Sequence, residues 1–350
     1  MGPPLERFGL VGAIRGLRKR GMVQFVKLSA YELLRPILVD KLAALLSIAG
    51  LHQDPSNGRE DMELRESIVF SQTGLIYSNK YGFQSPYYNG PEAVANLVLK
   101  QLAEMSYFRA IGTLVRGPKR LKGSQKIVIN AHNRNYFHGI FDSLYYAVMF
   151  RGEHLLSNST QSKLLQNFDR AFDLDLTYDV GDRGEFNLID CVVQYHRPPI
   201  AERARYLHQQ LAVSKPLGNG TRIYLAREST VERRVANETR FYELLEKEGF
   251  DVVVPEKHSI GEIAQIIADA RLIVSITGAG LANLIWAEDA SILILRPEET
   301  WDLYTRISEA LNLNYETMNC DRVGPDLHVD LISFEARIEA LESGESSGCL

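Results

Sequence analysis

Arginine residues cluster where a predicted strand of the carboxy-terminal half ends. The predicted strand 222–226 is followed by Arg227 and then by Arg233 and Arg234. Asn237 and Glu238 come next, in the first turn of a predicted helix. A guanidinium group can hold a phosphate through two parallel, charge-assisted hydrogen bonds. The cluster therefore predicts a diphosphate-binding site that requires no metal ion. A solvated surface loop with ordinary arginines is the alternative.

A second strand of the same half ends in small residues. The segment reads Ser275-Ile-Thr-Gly-Ala-Gly-Leu-Ala-Asn283, which places Thr277, Gly278, Ala279, Gly280 and Asn283 after the apolar run. Small residues let a ligand approach the backbone closely, and a helix that begins there presents its N–H groups to a phosphate or a ribose. The segment has neither the G-x-G-x-x-G spacing of a dinucleotide site nor the G-K-[S/T] of a P-loop, which disfavours nicotinamide-dependent enzymes and ATPases.

A third group of polar side chains lies on a predicted helix, residues 136–150, that is otherwise apolar. Asn135, His138 and Asp142 stand at positions i, i+3 and i+7, which share one stripe of a helix. Asp142 could fix the tautomer of His138 and raise its basicity, so that the pair acts as a general base on an acceptor hydroxyl. A hydrogen-bonded core histidine is the alternative, and the sequence leaves both open.

Alternating strands and helices must position these groups. In the carboxy-terminal half, predicted strands at 222–226, 252–254, 272–275 and 291–295 alternate with predicted helices at 236–248, 259–270, 281–287 and 301–311. Strands that are apolar throughout are buried on both faces, which predicts a doubly wound parallel sheet with helices on both sides. Ligands of such sheets bind at the carboxyl ends of the strands, where the strand order reverses.

The preceding part of the chain predicts another α/β lobe. Strands are predicted at 126–129 and 188–195, and helices at 136–150, 160–172 and 201–212. Turn-forming residues at 52–63 and 215–220 predict linkers. The resulting division is a helical appendage at 1–60, an acceptor-side lobe at 61–214, a nucleotide-binding lobe at 215–322, and a terminal helix and tail at 323–350.

The amino-terminal appendage has an amphipathic pattern. Basic residues between 15 and 20 precede a long apolar stretch, 22–51, and charged residues interrupt that stretch. These charges disfavour a transmembrane span. Residues 1–51 therefore predict either a membrane-surface anchor or a helical hairpin that packs on the protein itself.

Charge and cysteine content restrict the partners and the compartment. The formal net charge of -5 over 350 residues gives no global attraction to nucleic acid, so no nucleic-acid partner is expected. Cys191, Cys320 and Cys349 are scattered, without metal-ligand or disulfide-framework spacing. This usage is typical of a reducing compartment. The prediction is a cytoplasmic protein without a metal site, peripheral on the inner face of the plasma membrane if residues 1–51 anchor it.

Four motifs together resemble glycosyltransferase family 61. They are Asn135-Tyr-Phe-His-Gly-Ile-Phe-Asp142, Arg222-Ile-Tyr-Leu-Ala-Arg227, Arg233-Arg-Val-Ala-Asn-Glu238 and Thr277-Gly-Ala-Gly-Leu-Ala-Asn283. The resemblance covers about residues 124 to 300. It implies a GT-B architecture, two Rossmann-type lobes with a cleft between them, and an inverting transfer from a nucleotide sugar, usually UDP-linked, without an obligatory metal.

The resemblance also implies roles for residues by their positions in the motifs. Arg227 and Arg233 match the diphosphate-binding arginines, Asn237 and Glu238 the Asn-Glu pair, Gly278, Ala279 and Asn283 the donor loop, and His138 and Asp142 the family's His and Asp. The chain departs from the pattern at Thr277, where histidine is usual, at Ile263, where glutamine is usual, and at Gly139, where tryptophan is usual. These departures leave the donor sugar open.

The function expected from these observations is a hexosyl- or pentosyltransferase in polysaccharide biosynthesis. Its co-substrate would be a nucleotide sugar, its acceptor a glycan or a lipid-linked molecule, and it would use no bound cofactor. Two alternatives remain. A polysaccharide pyruvyltransferase can share a two-lobed fold and a glycine-containing loop. A catalytically silent glycan-binding or scaffold protein is suggested by Thr277 and Gly139.

Overall fold

The computed structural model of the protein describes residues 61–70, 75–78, 82–84, 119–127, 135–158, 161–181, 186–194, 198–213, 220–227, 234–298 and 303–343. The described residues fall into two compact units. The first unit gathers those before residue 133 with 153–162 and 177–197. The second unit gathers 133–152, 163–176 and those from residue 198 onward. The predicted appendage, residues 1–60, lies outside the described residues.

The first unit is built around a mixed sheet. Its described strands are β1 Asp61–Phe70, β2 Leu75–Ser78, β3 Gly82–Gln84, β4 Lys119–Ile127, β5 His154–Asn158, β6 Thr177–Gly181 and β7 Phe186–Gln194. Their order is β3-β2-β1-β7-β4-β5-β6. The β7-β4-β5-β6 part is parallel, and β1, β2 and β3 join it as antiparallel strands. The prediction of strands near β4 and β7 is confirmed.

The second unit contains a parallel sheet. Its described strands are β8 Thr221–Leu225, β9 Phe250–Val253, β10 Ala270–Ile276, β11 Ser291–Arg296 and β12 Asn314–Asn319, in the order β12-β11-β10-β8-β9. Every pairing among them is parallel. The four strands predicted for this half are confirmed, and the α/β class with them. Strand β12 was not predicted because its polar sequence, Asn-Tyr-Glu-Thr-Met-Asn, is that of a partly exposed edge.

Helices cover both faces of this second sheet. The described α-helices are α2 Gln161–Phe172, α3 Ile200–Gln210, α4 Glu238–Lys247, α5 Ile260–Asp269, α6 Leu303–Ala310 and α7 Leu331–Ser343. They are preceded by α1, a continuous helical segment made of Tyr136–His138, a π-helical part Gly139–Leu144, and Tyr145–Met149. Short 3-10 helices occupy Pro255–Lys257 and Ala279–Trp286, and a hairpin of β13 Asp321–Val323 and β14 Asp326–His328 precedes α7. None of the described helices is long and apolar enough to cross a membrane.

The strand sequences explain why the sheet is covered on both sides. Tyr224 and Val274 point into a core that α4 and α7 close, where the ring of Phe241 lies 5.2 Å from that of Tyr224 and 5.1 Å from that of Phe334. Strand neighbours on the opposite face, such as Ile273, are equally buried. Apolar residues at consecutive positions of a strand require this arrangement.

The order of the strands defines a switch point. Counted within the sheet, the order is 2-1-3-4-5, because the chain leaves β8 for β9 on one side and returns to β10 on the other. In doubly wound sheets of this order, ligands bind outside the carboxyl ends of strands one and three. The structure thus directs attention to the residues that follow β8 and β10.

Three segments that precede the predicted linker at 215–220 belong to the second unit. Residues 133–152, 163–176 and 198–213 carry α1, most of α2, and α3. Phe168 and Phe172 of α2 stack on Trp286, with ring centroids 6.0 Å apart in both pairs. The helix that carries His138 is therefore part of the same compact unit as the parallel sheet.

Candidate active site

The carboxyl ends of β8 and β10 bring Arg227 against Thr277. The two strands pair in parallel with Leu225 opposite Ser275, so the residues two positions further along each strand are also neighbours. Nη1 of Arg227 donates a hydrogen bond to the carbonyl oxygen of Thr277 at 3.3 Å. The predicted convergence of the two strand ends is confirmed for Arg227.

Gly278 makes room for this arginine. A Cβ atom on residue 278 would lie 2.5 Å from Nη1 and 2.8 Å from Cζ of Arg227. The backbone of Gly278 is extended, with φ 168 and ψ 176, a conformation that any residue can adopt. The absence of a side chain is therefore needed for the close approach of the guanidinium group, and Gly278 and Arg227 form one local structure.

The remaining residues of the predicted donor loop lie in a 3-10 helix. The α-helix predicted at 281–287 is wrong in type: residues Ala279–Trp286 form a 3-10 helix that starts directly after Gly278. Ala279 and Gly280 are partly exposed. Among the described residues, no heavy atom lies within 4 Å of the position that a Cβ of Gly280 would take. The first turn of this 3-10 helix, next to Gly278, therefore has room for a ligand at residue 280.

Asn283 faces the interior. Its side chain is fully buried; Oδ1 accepts a hydrogen bond from the Tyr136 hydroxyl at 2.7 Å, and Nδ2 donates to the Gly280 carbonyl at 2.9 Å. Burial, and secondarily the charge of Glu256, raises the pKa of Tyr136, so its hydroxyl stays protonated and can donate. This amide ties the 3-10 helix to the first residue of α1. The predicted place of Asn283 in the donor loop stays a prediction.

The amide of Asn237 also forms hydrogen bonds within the protein. Its Nδ2 donates to the carbonyl of Val329 at 2.8 Å, and its Oδ1 accepts from the N–H of Val329 at 3.0 Å. This pair of bonds fixes the start of α4 to the segment that leads into α7. Asn237 thus has a positioning role in the structure, and its predicted role in donor binding stays a prediction.

The other two predicted residues of this segment are Glu238 and Arg233. Glu238 is exposed in the first turn of α4, where the helix dipole favours a carboxylate, and it lines a surface depression with Arg234, Arg240 and Asp326. Its role in donor binding stays a prediction. Arg233 lies outside the described residues, and its pairing with Arg227 stays a prediction as well.

The predicted His138–Asp142 pair is present. Nδ1 of His138 lies 2.6 Å from Oδ2 of Asp142, and the carboxyl group is only 1% exposed while the imidazole is 26% exposed. In the neutral tautomer that carries its proton on Nδ1, this nitrogen donates a hydrogen bond to the carboxylate, and the basic lone pair of the ring is on Nε2. That is the nitrogen that a general base would use. The hydrogen bond is compatible with a general base and with a structural histidine, so the role of His138 as a base stays a prediction.

A buried arginine completes this cluster, and sequence reasoning missed it. Nη1 of Arg203, in α3, donates to Oδ1 of Asp142 at 2.6 Å and to the carbonyl oxygen of Phe141 at 2.7 Å. Arg203 is 5% exposed. The sequence does contain a sign of a buried partner, because Arg203 lies on the apolar face of α3 that also carries Ala204 and Leu207.

The backbone around His138 departs from an α-helix. Residues Gly139–Leu144 are π-helical, a feature that is frequent at functional sites. Asn135 does not continue the polar stripe; it is the N-cap of α1, and its Oδ1 accepts from the Phe137 N–H at 3.0 Å. A Cβ on Gly139 would overlap Cδ2 of Leu164 in α2. A side chain at position 139 would therefore require the side chain of Leu164 to move.

Comparison with known proteins bears on this arrangement. The family model described as Glycosyltransferase 61 matches residues 136–294. The resemblance to glycosyltransferase family 61 is confirmed. The matched segment runs from the start of α1 into β11, and it contains the His138–Asp142–Arg203 cluster together with the Arg227–Gly278 pair. No curated protein matches the chain.

The similarity of residues 136–294 to the Glycosyltransferase 61 model indicates a glycosyltransferase, an enzyme class that acts on a donor and an acceptor substrate. Within the part of the chain that the structure describes, no group of three His, Cys, Asp or Glu side chains could hold a metal ion. The family match and the geometry thus concern the same residues, which lie in one compact unit.

Proposed function

We propose that the protein is an inverting glycosyltransferase of GT-B architecture that moves a hexosyl or pentosyl group from a UDP-linked sugar to a hydroxyl of a glycan or lipid-linked acceptor. The observation that carries the proposal is the Arg227–Gly278 pair at the switch point of the parallel sheet. Asn283 and Tyr136 connect this point to the helix of the His138–Asp142 pair. A donor site and a base site are thereby held on one framework.

In this proposal Arg227 and Arg233 bind the diphosphate of the donor. Negative charge builds on the diphosphate as the bond to the sugar breaks, so a fixed cation there stabilises the transition state more than the ground state. Partly exposed residues Ala279 and Gly280 let the diphosphate approach the N–H groups at the start of the 3-10 helix. No metal ion and no bound cofactor take part.

His138 acts as the general base. Its Nε2 takes the proton from the acceptor hydroxyl while the hydroxyl oxygen forms a bond to the anomeric carbon of the sugar. On the opposite face, the bond from that carbon to the diphosphate oxygen breaks, and the nucleoside diphosphate leaves with the electron pair. The configuration at the anomeric carbon is inverted, and the proton passes from His138 to solvent.

The setting of the enzyme is part of the proposal. We place it in the cytoplasm, peripheral on the inner face of the plasma membrane through residues 1–51, in polysaccharide biosynthesis. The amphipathic pattern of that segment supports this location. Deletion of residues 1–51 followed by liposome flotation tests it, and unchanged flotation would exclude the anchor.

A donor screen with the full-length protein tests the proposed reaction. UDP release from a panel of UDP-sugars is followed for the wild type, His138→Ala and Arg227→Ala. Loss of a general base lowers kcat by about 10²–10⁴-fold, and loss of a cation at the leaving group by about 10²–10³-fold. We expect His138→Ala to retain stabilisation by UDP in thermal-shift measurements and Arg227→Ala to lose most of it.

The same screen separates the rival functions. Phosphate release from phosphoenolpyruvate, without UDP release from any sugar donor, would identify a pyruvyltransferase. Absence of stabilisation by UDP, GDP and CMP alike would identify a silent protein of the same fold. A fully active His138→Ala variant would remove the proposed base.

A further inference from the structure

We infer that Arg203 is a positioning residue of the base: it neutralises the buried carboxylate of Asp142, so that His138 stays unprotonated and ready to accept a proton. This inference rests on the proposed function in so far as it concerns catalysis. The contacts of Asp142 carry it. Both carboxyl oxygens are engaged, Oδ1 by Arg203 and Oδ2 by His138, and neither Asp142 nor Arg203 reaches solvent to any extent.

Because Asp142 is buried, its ionised carboxylate needs a positive charge beside it. An ionised carboxylate that is removed from water needs a cation beside it, or it takes up a proton. Among the described residues, Arg203 supplies a positive charge directly to the Asp142 carboxylate, and the imidazole can be neutral. Without Arg203, the imidazole of His138, which is bonded to the other carboxyl oxygen, is a described group that could supply the positive charge. A protonated imidazole cannot accept the proton of an acceptor hydroxyl.

Arg203 also braces the backbone that presents the pair. Its Nη1 bonds the carbonyl of Phe141, inside the π-helical part of α1, as well as the Asp142 carboxylate. One guanidinium group therefore fixes the carboxyl group and the turn that carries it. Lysine would keep the charge, but its single ammonium group on a flexible stem holds both acceptors less firmly.

In the part of the chain that the structure describes, the other ionisable groups that act on Tyr145, next to the cluster, are not cations. Burial is the largest cause of the raised pKa of Tyr145 in α1. Tyr206 and Glu202 of α3 raise this pKa further, and Arg203 lowers it. Tyr145 and Tyr206 both have a raised pKa and stay neutral near pH 7. The 3-10 helix Ala279–Trp286, which also packs on α1, has no titratable side chain. In α6, the ring of Tyr304 contacts Phe137.

A set of full-length variants tests the inference through the pH dependence of kcat/KM. Removal of a positive charge that neutralises Asp142 should move the acid limb of the profile of Arg203→Met upward by about 1–2 pH units. KM for the donor should stay the same, because Arg203 does not belong to the donor site. Arg203→Lys should keep the acid limb near its wild-type position. Arg205→Met, which removes an exposed arginine of the same helix, is the matched control and should leave the profile unchanged.

A second readout does not depend on turnover. The His138 signal is followed by NMR in protein labelled at histidine Cε1 and is assigned by its disappearance in His138→Gln. We expect the midpoint of its titration to rise by about 1–2 pH units in Arg203→Met and to stay in place in Arg205→Met. A midpoint that is the same in Arg203→Met and in the wild type would overturn the inference. A protein that shows the expected NMR shift but transfers no sugar would instead contradict the proposed function.

A double-variant comparison covers the case in which Arg203→Met does not fold. Asp142→Asn/Arg203→Met contains neither buried charge, and it is compared with Asp142→Asn alone. In this background the guanidinium of Arg203 still repels a protonated imidazole directly, so its removal should raise the midpoint of the NMR titration and the acid limb, but by less than the shift of about 1–2 pH units expected when Asp142 is charged. A shift of the full size without the carboxylate would show that Arg203 acts on His138 independently of Asp142 and would refute the inference.

Discussion

Substitution of Gly278 by alanine tests the geometry of the proposed donor site. The new Cβ would lie 2.5 Å from Nη1 of Arg227, whereas ordinary contacts begin at about 3.4 Å, so the guanidinium group must move. Since it is the far end of a flexible side chain, it can move without displacing the backbone. The extended conformation at residue 278 accepts alanine. We therefore expect a folded protein with a misplaced cation.

The magnitude follows from the hydrogen bonds that the arginine would lose. A hydrogen bond to a charged group contributes about 1.5–3 kcal/mol. Loss of one such bond to a diphosphate would weaken UDP binding by about 10–150-fold, since 1.4 kcal/mol corresponds to a factor of ten. Isothermal titration of UDP into Gly278→Ala measures the change, and thermal unfolding without nucleotide confirms that the fold is retained.

Gly261→Ala, in α5, is the control for this prediction. Outside its own helix, the nearest described neighbour of a Cβ on Gly261 would be Cβ of Ala171, at 3.9 Å, which is an ordinary contact. Its affinity for UDP should stay within about twofold of the wild type, since residue 261 lies outside the proposed donor site and the new methyl group displaces no described neighbour. Equal affinities of the wild type and Gly278→Ala would refute the argument that Arg227 must lie against residue 278 to bind the donor.

Three further predictions concern stability and reactivity. Tyr136→Phe removes the donor to the buried Oδ1 of Asn283 and should lower the free energy of unfolding by about 1–3 kcal/mol, measured as a lower urea midpoint at unchanged slope. Ser259→Ala breaks the capping box with Glu262 and should cost about 1 kcal/mol in the same assay; an unchanged midpoint would contradict the capping role. Burial raises the pKa of Cys320 to about 11, so its thiol stays protonated at pH 8 and should resist iodoacetamide in the folded protein, whereas rapid alkylation detected by mass spectrometry would contradict its burial.

Several parts of the fold could be predicted because one local signal was sufficient. The apolar runs of β8, β10 and β11 required burial on both faces, and this placed the polar residues that follow β8 and β10 at the carboxyl edge of a parallel sheet. The capping box at Ser259 and the positive φ of Gly249 after α4 follow from residue types alone. These local signals agree with the tertiary structure.

Other features depend on contacts that no local pattern reveals. Asn237 and Asn283 have residue types suited to ligand binding, but their amides are satisfied by Val329 and by Tyr136, which are distant in sequence. Arg203 lies 61 residues from its partner Asp142. A charged residue on the apolar face of a helix is a signal for such a buried partner. The identity of the partner requires the fold.

The assignment of the helices to the two units could also not be predicted from the order of the residues. A turn-rich segment at 215–220 suggested a boundary, but α1 and α3 precede it and pack in the unit that contains β8–β12. The chain passes between the two units several times. Composition marks where a chain turns, and it does not show with which sheet each helix packs.

The structure of the full-length protein crystallised with UDP tests the central claim most directly. The account predicts that the diphosphate lies at the carboxyl ends of β8 and β10, with its oxygens within hydrogen-bonding distance of the Arg227 guanidinium and beside Gly278. A diphosphate bound elsewhere on the protein, with Arg227 still resting on Thr277 and making no contact with it, would contradict the account.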